Sequence, residues 1–162
     1  MVFGSSRPRF PVLWPYLLLI LLASTSAAQS VAVDILPRER AAFAESYANE
    51  RLWLWQKRLQ LEDWRISVLV ARASELKPKT LGNIHWDVDN KTATIRVLDP
   101  ADYQMPLPEM LQDMEFTVVH ELIHLELASV LSAFPRSDAN RREEEHAVNH
   151  MADALLKLDR GQ

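Results

Sequence analysis

The stretch "FTVVHELIHLEL", residues 116–127, constrains the chain more than any other. Wound as a helix, Val118, Val119, Leu122, Ile123, Leu125 and Leu127 leave hardly any polar side, so the rest of the chain must enclose it. Yet it also carries His120, Glu121 and His124, and groups of that kind are not buried without partners. Residues four apart lie about 40° apart around a helix and one turn along it, so both imidazoles can reach a single metal ion. Glu121 is offset from His120 by about 100°; it is not a ligand and can take a proton from a metal-bound water, which is the chemical content of H-E-x-x-H. The composition makes about 0.01 such motifs expected by chance in the chain. The alternative, two histidines on a solvent-facing helix surface, conflicts with the apolar residues on every side.

The remaining elements follow from period and punctuation. "PRERAAFAESYANERLWLWQKRLQ", residues 37–60, is predicted to be a helix that opens on Pro37. Phe43, Tyr47, Leu54, Trp55 and Leu59 recur along it at helical spacing, and Trp53, Trp55, Trp64 and Trp86 are expected in the core. "WRISVLVA" alternates Ile66, Val68 and Val70 and reads as a strand, and "LGNIHWDV" and "TATIRVL" around "DNK" read as a hairpin. Pro106 and Pro108 lead into the histidine helix, expected over about 109–131 and closed by Pro135. Ser137 or Asp138 can cap a final helix, whose buried stripe is Val148, Ala152, Leu155 and Leu156. Helix, small three-stranded sheet, helix, helix makes an α+β domain.

A catalytic zinc takes three protein ligands and keeps one position open, so a third ligand must come from elsewhere in the fold. Twenty residues separate His124 from Glu145, enough to end one helix, turn and return antiparallel. The first part of the last helix is therefore the expected source. Helical phase favours Glu145, which runs along the edge of the buried stripe with Asn149. Glu144 shares a face with Val148 and stays open as the alternative, and a histidine (His85, His146 or His150) is the third choice. Glu143 is expected to point into solvent. Asn149 can accept a ring N–H from a liganding histidine.

"HELIH" followed by "EHAVNHMADALL" resembles the gluzincin metallopeptidases, and the spacing of Glu145, Asn149, Ala152 and Leu155 is similar to the short ImmA/IrrE-type peptidases. The likeness covers about residues 109–158, with Asn149 where thermolysin-like enzymes carry an aspartate. It implies a minimal zincin-like domain binding Zn²⁺ through His120, His124 and Glu145, with Glu121 as general base. The implied function is hydrolysis of peptide bonds in an exported or envelope protein substrate. In zincins generally an edge strand beside the active helix binds extended substrate, a role open here to residues 92–98 or 83–88. The likeness does not place the oxyanion-stabilising group. Tyr103, His146 and His150 are candidates, each with an ordinary packing or surface role as its alternative. A non-catalytic zincin-like binding module is the rival reading, and a metal-free helical interaction domain is a third.

Residues 1–28 run from basic (Arg7, Arg9) through the apolar "PVLWPYLLLILLA" to the small "STSAAQS", the order of a secretory signal peptide. Cleavage is expected after Ala28, leaving a domain over 29–162 that is exported to the periplasm or the outside and is not stably inserted in a membrane; an uncleaved anchor is the alternative. The chain has no cysteine, which excludes disulfides, thiol nucleophiles and thiolate metal sites. Its formal charge is −4; without Arg7 and Arg9 the basic residues number 16 against 22 acidic, a net −6. A net-negative domain without a basic cluster is a poor partner for nucleic acid. Three glycines leave no phosphate-cradling loop.

Overall fold

The computed structural model describes residues 37–162; the expected signal peptide and its cleavage after Ala28 lie outside the described residues. The elements are α1 (Pro37–Arg58), β1 (Arg65–Ala71), β2 (Gly82–Asp87), β3 (Thr92–Leu98), α2 (Leu107–Leu131) and α3 (Asp138–Asp159). This is an α+β architecture of three helices and a small mixed sheet. Among the described residues no helix is long and apolar enough to cross a membrane.

α1 stops two residues short of the expected Gln60. Its end is a Schellman arrangement in which Leu61 N donates to Gln56 O (2.9 Å) and Gln60 N to Lys57 O (3.2 Å). Gln60 takes the left-handed conformation at φ 56° that glycine usually fills. The Gln56 amide secures the turn by donating to Leu61 O and Trp64 O. The buried face of α1 is Ala44, Ala48, Leu52 and Trp55. Trp53 is 68% exposed and Phe43 48% exposed, which corrects their expected inward positions. The physical reason is the pair of alanines, which turns a narrow, small-residue face to the core and rotates the larger side chains outward. Trp53 is instead overlaid by the Lys57 ammonium.

The sheet has the order β1-β3-β2, with β3 paired in parallel to β1 and antiparallel to β2. Asp87 forms the hairpin turn by accepting from the backbone N and the side-chain amide of Asn90. Because β3 is central, residues 92–98 have no free edge. Of the two strands considered for substrate pairing, only β2 keeps one. Val68, Ala93, Ile95 and Val97 are buried within the core, while Ser67 and Thr94 meet hydroxyl to hydroxyl at an exposed position.

Two features tie the sheet to α2. A Cβ on Gly82 would lie 2.3 Å from Thr117 Cγ2 and 2.6 Å from Arg96 O, so β2 and α2 approach as closely as a bare backbone allows. The loop from β1 to β2 is pinned where it begins, since Asp102 accepts from Arg72 Nη2 (2.6 Å) and from Ala73 N (2.7 Å). These contacts, the Ala73 amide first, hold the Asp102 carboxyl below its usual range. Farther along, Leu76 is buried, and Leu98 N donates to Leu81 O at the loop's far end.

α2 begins at Leu107, two residues before the expected Glu109, with Pro108 in a first turn where no intrahelical N–H is required. From Thr117 to Leu125 nearly every side chain is buried, as the apolar circumference predicts. α2 also carries a buried carboxylate, Glu115, which accepts from Trp55 Nε1 (3.0 Å) and Arg160 Nη2 (3.0 Å). Arg51 approaches Glu115 to 3.6 Å, and Tyr47 OH donates to it. α3 is capped by Ser137, whose hydroxyl accepts from Asn140 N. It buries only Val148, Ala152 and Leu156.

Candidate metal centre

His120 and His124 project from the middle of α2, and their Nε2 atoms face each other at 3.0 Å. α3 returns antiparallel and sets Glu145 against both: Oε2 lies 3.4 Å from His120 Nε2 and Oε1 3.5 Å from His124 Nε2. Three donors around one tetrahedral ion with bonds of 2.0–2.1 Å stand about 3.3 Å apart, so these separations suit a shared ion. Taking a single oxygen of Glu145, all three donor atoms fall within 4.8 Å of one another. The Glu145 side chain is 56% exposed and free to make the small rotation that closes the set. His120, His124 and Glu145 can therefore hold a metal ion.

The lone pairs support the same conclusion. His124 Nδ1 lies 3.0 Å from Glu144 Oε1, a carboxylate that can only accept; in the neutral ring this makes Nδ1–H the donor and turns the Nε2 lone pair toward His120. Two imidazole nitrogens at 3.0 Å repel when both are bare, unless a proton or a cation lies between them. His120 is held below its ordinary pKa, first by burial and next by the neighbouring His124, while Glu145 and Asn149 pull the other way. The Asn149 amide favours the charged ring but does not reach hydrogen-bond geometry, and His120 Nδ1 is buried without a partner among the described residues.

Glu144, the alternative third ligand, sits behind His124 instead of beside the two Nε2 atoms. Its other oxygen accepts from Arg136 Nη1 at 2.8 Å, so a loop arginine and a half-buried glutamate together orient one imidazole. Sequence reading placed Glu144 on an inward face but did not give it this part, and Arg136 was missed. Glu144→Ala is expected to weaken metal binding about 10- to 100-fold without abolishing it. Competition against a chelator of known affinity checks this, and an unchanged affinity counts against the supporting role.

Glu121 is buried and lines the same cavity of about 390 Å³, together with Gly82, Ile84 and Trp86 of β2 and Phe116 and Thr117 of α2. Burial raises its carboxyl to about 7, the Glu145 charge adds to the rise, and the Lys77 ammonium opposes it. A carboxyl in that range can both accept and return a proton near neutral pH.

The other candidates lie elsewhere. Tyr103 is buried and donates to Asp113 at 2.9 Å, away from this cavity, and burial pushes its hydroxyl pKa up. His146 and His150 are exposed on α3 with their rings 4.1 Å apart. His85 and Glu143 are exposed as well. Comparison with family models, curated proteins and solved structures returned no significant match.

Proposed function

We propose that the protein is a zinc-dependent peptidase of gluzincin type, acting on an exported or envelope protein. The observation that carries this reading is the convergence of His120, His124 and Glu145 with a buried Glu121 in one cavity beside a free strand edge. His120, His124 and Glu145 would hold the zinc, which when bound would supply a Lewis acid and lower the pKa of a bound water. Glu121 would accept a proton from the attacking water and return it to the leaving amine. The free edge of β2 pairs with an extended peptide, and Gly82 brings that edge against the helix bearing the site. Glu121 favours an enzyme over a purely structural metal site, since a structural site takes four protein ligands and has no use for a buried base at its open side.

The test is metal analysis of the purified protein together with hydrolysis of an unstructured protein. One zinc per chain is expected, with cleavage that stops on adding a chelator. Alanine at His120, at His124 or at Glu145 is expected to abolish tight binding. Full zinc occupancy in all three variants would end the metal assignment. A zinc-loaded protein that cleaves nothing but binds a partner would point to the non-catalytic module.

A further inference from the structure

We propose that Lys77 is a catalytic residue whose ammonium stabilises the negative charge that develops on the substrate's carbonyl oxygen. This rests on the peptidase reading and supplies the one group its chemistry lacks. Water adds to the carbonyl carbon, the C=O π pair moves onto oxygen, and the water's proton goes to Glu121. When the C–N bond breaks, the pair returns to form C=O and the amine takes the proton from Glu121. The oxygen is negatively charged only between these two events. A positive group that meets it there lowers the barrier without tightening substrate binding.

The residues first considered for this part do not reach the cavity. Tyr103 is engaged with Asp113, and His146 and His150 lie on the exposed side of α3. Three cations do line it: Lys77, Lys79 and Arg136. Arg136 is committed to Glu144. The lysine ion pairs among the described residues are those of Lys91 with Asp63 and Lys157 with Asp153, so Lys77 and Lys79 are uncommitted there. Of these two, Lys77 lines the cavity with Glu121 from a backbone held beside the buried Leu76 and through its own carbonyl, which accepts from Thr80, and the Lys77 charge opposes the rise in the Glu121 carboxyl. An oxyanion forms next to the base that has just accepted the water's proton, so proximity to Glu121 is the relevant criterion.

The backbone that presents Lys77 is held at several points. Its carbonyl accepts from Thr80 N (3.1 Å) and Thr80 Oγ1 (2.8 Å), Leu76 beside it is buried, and Asp102 anchors the start of the loop. The side chain is left as a flexible stem with a compact charge, free to meet a charge that exists only transiently.

The experiment compares the full zinc-loaded chain with Lys77→Met and Lys77→Arg on a peptide the parent cleaves. Lys77→Met is expected to lower kcat by about 10²- to 10³-fold, the cost of removing one oxyanion donor, with KM and zinc content little changed. Lys77→Arg should recover part of the loss. By calorimetry, a peptide phosphonate that imitates the tetrahedral species should bind Lys77→Met more weakly than the parent by a similar factor, while the cleaved product peptide binds both alike. A raised KM at constant kcat would make Lys77 a substrate-holding residue and overturn the proposal, as would a Lys77→Met variant equal to the parent. An inactive parent removes the peptidase reading and this proposal with it; an active parent with an unaffected Lys77→Met removes this proposal alone.

Discussion

Glu121→Gln is expected to lose at least two orders of magnitude in peptide hydrolysis while folding and holding metal like the parent. The substitution keeps size and hydrogen-bonding capacity, so it opens no cavity in the crowded middle of α2. It does not touch the metal, because Glu121 is not among the three converging donors. What it removes is basicity at a position where burial already holds the carboxyl at about 7. General acid–base assistance contributes roughly 10²- to 10⁴-fold, which sets the size of the loss. The measurement is kcat on an unstructured protein beside metal content per chain. Chelator-sensitive cleavage that continues unchanged in Glu121→Gln would refute the mechanism.

The second large effect is on stability. Glu115→Ala is expected to destabilise the fold by about 3 kcal/mol, the lower end of the range for breaking a buried ion pair from one side. Glu115 is buried and joins three parts of the chain: Trp55 and Arg51 from α1, α2 itself, and Arg160 just after α3. Its removal leaves the Trp55 indole N–H without an acceptor and Arg160 without its counterion, while Arg51 keeps its ion pair with Glu50 at 2.7 Å. Arg51 and Arg160 stay partly in contact with water, their side chains being 23% and 34% exposed, which places the cost at the lower end. Glu115→Gln keeps an acceptor for Trp55 and should lose less. Urea unfolding of the three proteins measures both differences; a loss below about 1 kcal/mol for Glu115→Ala would show that the carboxylate contributes little to holding these elements together.

The candidate site was legible where local periodicity carries it. The spacing of His120 and His124, the gap to the last helix and the phase of Glu145 against Val148 were enough to name the residues that the fold brings together. Glu144 was weighed only as a competing ligand, because helical phase ranks inward-facing residues without saying which atom each one meets. Arg136 lies in a loop and Lys77 in a turn, where no period exists to place a side chain. In the fold, the hairpin was readable from "DNK", but the parallel pairing of β1 to β3 joins segments distant in sequence, and no turn chemistry signals it. Trp53 was misplaced because a large apolar side chain outweighs two alanines in any pattern reading, whereas a close helix seam prefers the alanines.

The thin attachment of α3 has a consequence for local opening. A helix of 22 residues that buries three side chains is held weakly by apolar contact, and such elements are the first to separate while the rest stays folded. Its remaining ties are polar ones to α2 and α1: Glu144 and Glu145 to the two histidines, Arg160 to Glu115, and Asp159 to Arg58. An ion bound between α2 and α3 would therefore act as a clasp, its binding free energy adding to the cost of lifting α3 away. Backbone amides of α3 would exchange with solvent deuterium faster in the metal-free chain, while those of β3 and the middle of α2 keep the slow exchange of the core.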